Sequence, residues 1–112
     1  MSEIDMSEID LAAFTAAHAA GAVVVDVREP EEYVRGHVPG ARLIPLGRLP
    51  QQVSELPLAE RIYLICAAGN RSKAAVSLLT RAGFDAVSVV GGTSAWQRAG
   101  RATVTGSQPG SI

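Results

Sequence analysis

The sequence predicts an α/β domain with a parallel central sheet and helices packed on both of its faces. Two apolar runs, Ala22 to Val27 and Arg61 to Cys66, lack the polar alternation of a strand with one wet face and read as strands buried on both sides. Ser72 to Ala82 has a helical period instead, with Ala75, Leu78, Leu79 and Ala82 on one stripe and Lys73, Ser77, Thr80 and Arg81 facing away. Strands and helices alternate at short spacing, the order that crossover connections fold into a parallel sheet.

Residues 1–10 repeat one pentapeptide, MSEIDMSEID, too short a repeat for a solenoid. Residues 1–6 read as an N-terminal extension that can add a short edge strand. Ser7 and Asp10 have capping-box spacing for a first helix, whose inner face carries Ile9, Phe14 and Ala17 and which ends near Gly21. After the strand Ala22 to Val27, Pro30 with Glu31 and Glu32 reads as the first turn of a helix. Proline loses no hydrogen bond there, and acids complement the helix dipole. Gly36 to Ala41 is a turn, Arg42 to Ile44 a short strand, and Leu46 to Leu56 a weak helical segment interrupted by Gly47 and Pro50. Beyond the strand Arg61 to Cys66 and the helix from Ser72, Gly83 is placed to end that helix. Phe84 to Val90 then gives another strand, Gly91-Gly92 a turn and Thr93 to Ala99 a short helix. The domain is thus expected to span 7–100, with the small, polar residues 101–112 as a mobile tail.

At 112 residues, 47% hydrophobic and 19% charged, the chain has the size and composition of one globular domain. A net charge of −1, with scattered basic residues, argues against nucleic acid or an anionic membrane as a partner. No apolar run reaches the length of a membrane span. The acidic, polar start fits neither a signal peptide nor a transit peptide. One cysteine makes no internal disulfide, and no CxxC or Cys/His cluster suggests zinc, so neither a metal nor a cofactor is expected. The expected compartment is a reducing cytoplasm.

In parallel α/β sheets, sites form outside the carboxyl ends of the strands. Cys66 and Asp26 both lie at such ends. Cys66 opens a loop in which Ala67 and Ala68 keep bulk low and Gly69 permits backbone conformations that other residues resist. Successive N–H groups there can turn inward as a nest for an anion above the sulfur, with Asn70 in the loop, Arg71 at its rim and Ser72 as the N-cap of the next helix. A free cysteine of pKa about 8.5 is roughly 3% thiolate at pH 7. Lowering that pKa by about two units raises the thiolate fraction roughly 25-fold, while falling nucleophilicity returns roughly tenfold of the gain. The larger service of such a loop is therefore to hold an anionic substrate and the anionic intermediate left on the sulfur.

Three segments, VVVDVREPEEYVRGHVPGA at 23–41, YLICAAGNRS at 63–72 and VVGGTSAWQRAG at 89–100, together resemble the rhodanese family of sulfurtransferases in its single-domain form. The resemblance covers residues 7 to 100 and rests on three ordered motifs around a CxxGxR loop. It implies a three-layer α/β/α fold with a central, mostly parallel five-stranded sheet. It also implies that Cys66 is the catalytic nucleophile, taking sulfur from thiosulfate or another sulfane donor as a persulfide. Ala67, Ala68, Gly69, Asn70 and Arg71 would bind the substrate and that persulfide. The sulfur then passes to cyanide, a cellular thiol or a protein acceptor, which must be external because no second cysteine is present. Many thiosulfate-using members carry Arg or Lys directly after the cysteine. Ala67 stands there instead, which favours a persulfide donor or carrier protein.

Asp26, Arg28 and Ser72 are candidate supporting residues. Sulfur transfer from a thiolate needs no general base, so Asp26 and Arg28 are expected to tie the strand end to the next helix or loop. His37, before a Val-Pro-Gly turn, is expected to satisfy backbone groups, His18 to lie at the surface or in packing, and Trp96 to pack its helix on the sheet. Two other functions remain open. One is a carrier or binding module without turnover. The other is a phosphatase or arsenate reductase of the same fold, against which the four residues between Cys66 and Arg71 argue, because those enzymes use one more.

Overall fold

A computed structural model describes residues 7–110. Five strands form one sheet: β1 (Glu8–Ile9), β2 (Val23–Asp26), β3 (Arg42–Leu43), β4 (Ile62–Ile65) and β5 (Ala86–Val89). Their order across the sheet is β1-β5-β4-β2-β3, and every neighbouring pair is parallel. Five helices cover it: α1 (Leu11–Ala19), α2 (Pro30–Arg35), α3 (Leu49–Gln52), α4 (Asn70–Arg81) and α5 (Gly92–Arg98). The segment Leu46 to Leu56, expected as one weak helix, instead holds α3 between two single 3₁₀ turns that end at Glu55.

Side-chain alternation divides the core in two. Val25, Ile62, Leu64, Cys66 and Ala86 pack with Ala75, Val76 and Leu79 of α4. Val24, Ile65 and Val89 pack on the other face with Phe14 of α1 and Trp96 of α5. The buried stripe of α4 includes Val76, whereas Ala82, expected inside, is exposed. The chain leaves β2 toward one edge of the sheet and β4 toward the other. The switch point therefore lies between these two strands, where Asp26 is registered against Ile65 and Cys66 follows.

Several boundaries differ from expectation for reasons visible in the caps. Asp10, not Ser7, caps α1: its Oδ1 accepts from the Ala13 N–H at 2.8 Å. Ser7 and Ile9 extend instead along β5, their carbonyls accepting from Ser88 and Val90 at 2.7 and 2.9 Å. Ile9 accordingly belongs to β1 rather than to the helix. The edge strand expected within residues 1–6 lies outside the described residues. At α4 the N-cap is Gly69, with φ +109°, so Ser72 sits inside the first turn rather than capping it. The end of α4 closes as expected, with the Gly83 and Phe84 N–H groups donating to Thr80 and Leu79.

Residues 101–110, expected to be mobile, are instead fastened to the domain. His37 and Val104 exchange two backbone hydrogen bonds, the Gly40 N–H donates to Pro109, and the Gly106 N–H donates to Val34. The Trp96 indole N–H donates to the Ala102 carbonyl at 2.8 Å. Polar composition hides such anchoring because it is made by backbone groups, which every sequence carries.

Candidate active site

The site is built where β4 ends. Period-two alternation turns Cys66 to the α4 side of the sheet, toward the first turn of that helix. The side chain is 1% exposed. Its Sγ accepts from the Gly69 N–H at 3.1 Å and the Ser72 N–H at 3.4 Å, and lies 3.4 Å from the Ser72 hydroxyl. Burial pushes the thiol pKa up. The Ser72 hydroxyl and the N–H groups of Ser72, Gly69 and Ala68 more than reverse this, leaving the pKa below the ordinary value. Ser72, beyond the 67–71 loop, supplies both a hydroxyl and an N–H to the sulfur.

The loop is held from two sides. Its φ-positive turn at Gly69 starts α4, while the start of α5 clasps its backbone: the Thr93 N–H donates to Cys66 and the Ser94 N–H to Ala67, at 2.8 and 3.0 Å. The clasp requires glycine at 92, where φ is +57° and a Cβ would stand 2.4 Å from the Cys66 carbonyl oxygen. Ala67 is partly buried by this contact, while Ala68 and Asn70 are exposed at the rim.

Both nearby arginines are paired. Arg28 forms a buried ion pair with Asp26, its Nη2 donating at 2.9 Å to Asp26 Oδ2 and at 2.9 Å to the Gly36 carbonyl. The pair ties the end of β2 to the end of α2. Arg71 makes a bidentate ion pair with Glu32, at 2.7 and 2.8 Å. Hydrogen bonding to Arg71, opposed by some burial and aided by the Glu29 N–H, holds the Glu32 pKa down at about 2, and the same pairing raises that of Arg71. The expected cation at the loop rim is therefore present, but its charge is matched. A cleft of about 240 Å³ lined by Arg28, Glu32, Arg35, Gly36 and Gln97 opens beside it.

Two residues at the site were not among the candidate site residues. Glu32 lies 39 positions from Arg71 and looks from sequence like any first-turn acid. Ser88 is fully buried in β5, and its hydroxyl lies 2.7 Å from Ser72 Oγ. It carried a signal: Ser88 shares the parity of Ala86, so period two points a hydroxyl into the α4 side of the core. His37 and His18 stand apart from the sulfur chemistry, both buried with ring nitrogens against backbone carbonyls.

Chemically, the arrangement offers a buried, hydrogen-bonded sulfur favouring the anion. Among the described residues, no carboxylate or imidazole is a hydrogen-bond partner of its Sγ. These are the needs of a group that accepts and holds an anionic sulfur.

Comparison with known proteins bears on this site. The profile of the rhodanese-like domain family matches residues 11–99. A Bacillus subtilis protein named "Putative sulfur carrier protein YrkF" is 42% identical over 74 residues, which are 65% of this chain and 40% of that protein. The chain thus spans about two fifths of that relative's length. Among solved structures, a rhodanese-related protein from Thermoplasma volcanium superposes with a TM-score of 0.81 at 35% identity, covering 87% of this chain and 96% of that one. A rhodanese-like domain protein from Staphylococcus aureus gives 0.76 at 35% identity, covering 81% of this chain and 91% of that one.

Proposed function

The chain belongs to the rhodanese-like domain family, and from that premise we propose that it is a sulfurtransferase working through a persulfide on Cys66. The observation that carries the proposal is the set of donors converging on one buried sulfur: two N–H groups at 3.1 and 3.4 Å and the Ser72 hydroxyl. They favour the thiolate beforehand and remain in place for the anion that replaces it.

In the first half-reaction the Cys66 thiolate attacks the terminal sulfur of the donor. With an alkyl persulfide RS–SH, the new bond joins Cys66 Sγ to that sulfur, the donor S–S bond breaks, and the thiolate RS⁻ leaves. With thiosulfate, the leaving group is sulfite. One sulfane sulfur moves, and no oxidant is consumed. From an alkyl persulfide, the outer-sulfur proton is released to water as the loop N–H groups take up the anion; from thiosulfate, the Cys66 persulfide forms directly as the anion. In the second half-reaction an external thiolate or cyanide attacks the outer sulfur, forming a new persulfide or thiocyanate and returning Cys66 as thiolate.

The donor favoured by the site is a persulfide rather than thiosulfate, because Ala67 supplies no cation and Arg28 and Arg71 are each paired with a carboxylate. A reducing compartment such as the cytoplasm suits a nucleophilic thiol that has no disulfide partner in the chain. The sulfur-carrier name of the Bacillus subtilis relative favours a second reading, in which the loaded chain hands sulfur to one protein partner without general turnover.

Intact mass spectrometry tests the reading. Incubation with an alkyl persulfide should add about 32 Da to Cys66, lost again on reduction with excess thiol. Cys66→Ser should take up no sulfur, and a loaded Cys66→Ser protein overturns the proposal.

A further inference from the structure

We infer that Glu32 sets the donor specificity of the site by occupying Arg71, so that doubly charged donors are rejected and persulfides of low charge are accepted. The inference rests on the sulfurtransferase reading above and names its substrate class.

The geometry supplies both halves of the device. Arg71 is the cation of the loop that begins at the nucleophile, and its guanidinium presents two N–H groups to one carboxylate in a fork. A dianion arriving at the sulfur finds that fork filled. The filled fork also places the Glu32 carboxylate, a negative charge, directly against the loop's cation. The Glu32 carboxylate is fixed from a second direction, with the Glu29 N–H donating to its Oε1 at 3.1 Å as part of the α2 capping box. Swinging it aside to release Arg71 therefore costs a helix cap as well as an ion pair. The other arginine at this edge, Arg28, is buried against Asp26 and cannot substitute. Arg35 lies one helical turn from Glu32 on α2 and lines the same cleft with no ion pair among the described residues, but it is not part of the loop that carries the nucleophile. Once the sulfur is ionised, the two matched pairs contribute no net charge to offset the thiolate, which repels thiosulfate more than a singly charged or neutral persulfide.

Glu32→Gln is the informative change, because glutamine at the third helical position still closes a capping box while removing the charge. The experiment measures the rate of Cys66 loading, by intact mass, with thiosulfate and with a singly charged alkyl persulfide. The proteins are wild type, Glu32→Gln and Glu32→Gln/Arg71→Gln. Glu32→Gln should accelerate loading from thiosulfate by about tenfold to a hundredfold, the range of one charge-assisted hydrogen-bonded contact, with the alkyl persulfide changed by less than about threefold. The gain should appear as a lower half-saturating thiosulfate concentration at similar limiting rate, and the double variant should lose it. A purely structural role moves both donors together. Equal changes for the two donors, or a thiosulfate gain that survives removal of Arg71, overturn the inference. Loading of wild type by neither donor overturns the sulfurtransferase reading itself. Thermal melts of the variants identify any loss of fold, and a Glu32→Asp variant, which keeps the charge, should still discriminate against thiosulfate.

Discussion

Ser88 never touches the sulfur, yet it governs the proton on the group that does. A hydroxyl has one hydrogen to give. With Cys66 as a thiol, S–H donates to Ser72 Oγ and the Ser72 O–H is directed to the Gly69 carbonyl at 3.2 Å. With Cys66 as a thiolate, the Ser72 O–H must turn to the sulfur, and the Ser88 O–H, 2.7 Å away, can donate to the oxygen behind it. Ser88→Ala should therefore disfavour the thiolate and raise the Cys66 pKa. Alkylation of Cys66 by iodoacetamide, followed against pH, should slow about two- to fivefold on the rising limb while its high-pH plateau stays unchanged, as losing one neutral hydrogen bond implies. An equal slowing at every pH would mean blocked access instead. Cys66 itself was legible from its setting, an apolar run ending in a glycine loop with an arginine at the rim. Ser88 and Glu32, the partners of Ser72 and Arg71, were not, because pairings across 16 and 39 residues are created by strand order and helix placement rather than by local pattern.

Among the elements, α2 depends most on a single side chain. Glu32 closes its capping box and reaches Arg71 on α4, so one carboxylate joins two helices. Its pKa is held at about 2 against an ordinary 4.5, so its contribution is complete above about pH 4.5 and is lost as pH falls toward 2. The side chains of Arg71 and Glu32 are 39% and 29% exposed, so water screens the pair and its worth is about 0.5–1 kcal/mol. In urea melts at constant ionic strength, wild type should exceed Glu32→Gln by that amount from pH 7 down to about pH 4.5, with the difference closing toward about pH 2. Of the elements themselves, β2 to β5 and the long helix α4 were readable from hydrophobic period and glycine punctuation, whereas β1 was not, its residues having been read as the start of α1. Their ends were less so. Whether Asp10 or Ser7 caps α1, and whether Ser72 or Gly69 starts α4, depends on which backbone groups the neighbouring strand or the sulfur claims.

The molecule as a whole is closed by the chain after α5. Residues 101–110 cross the domain near His37 and Trp96 of α5, and removing them strips partners from Trp96 Nε1, the His37 backbone and the Gly40 N–H. A chain ending after Gly100 should lose roughly 3 kcal/mol, from several hydrogen bonds of about 0.5–1.5 kcal/mol each. Its midpoint should fall by on the order of 10 °C or more in thermal circular dichroism. An unchanged midpoint would show that the crossing segment adds nothing to stability.

The sheet has a further consequence for how the molecule meets others. Both outer strands, β1 and β3, are two residues long, and Glu8 and Arg42 on them are each committed to ion pairs, with Lys73 and Glu55. A long bare edge invites another chain to add itself as a strand, whereas short charged edges give it almost no ladder to extend. If the chain hands sulfur to other molecules as proposed, such edges let it meet them repeatedly without seeding aggregates of its own sheets.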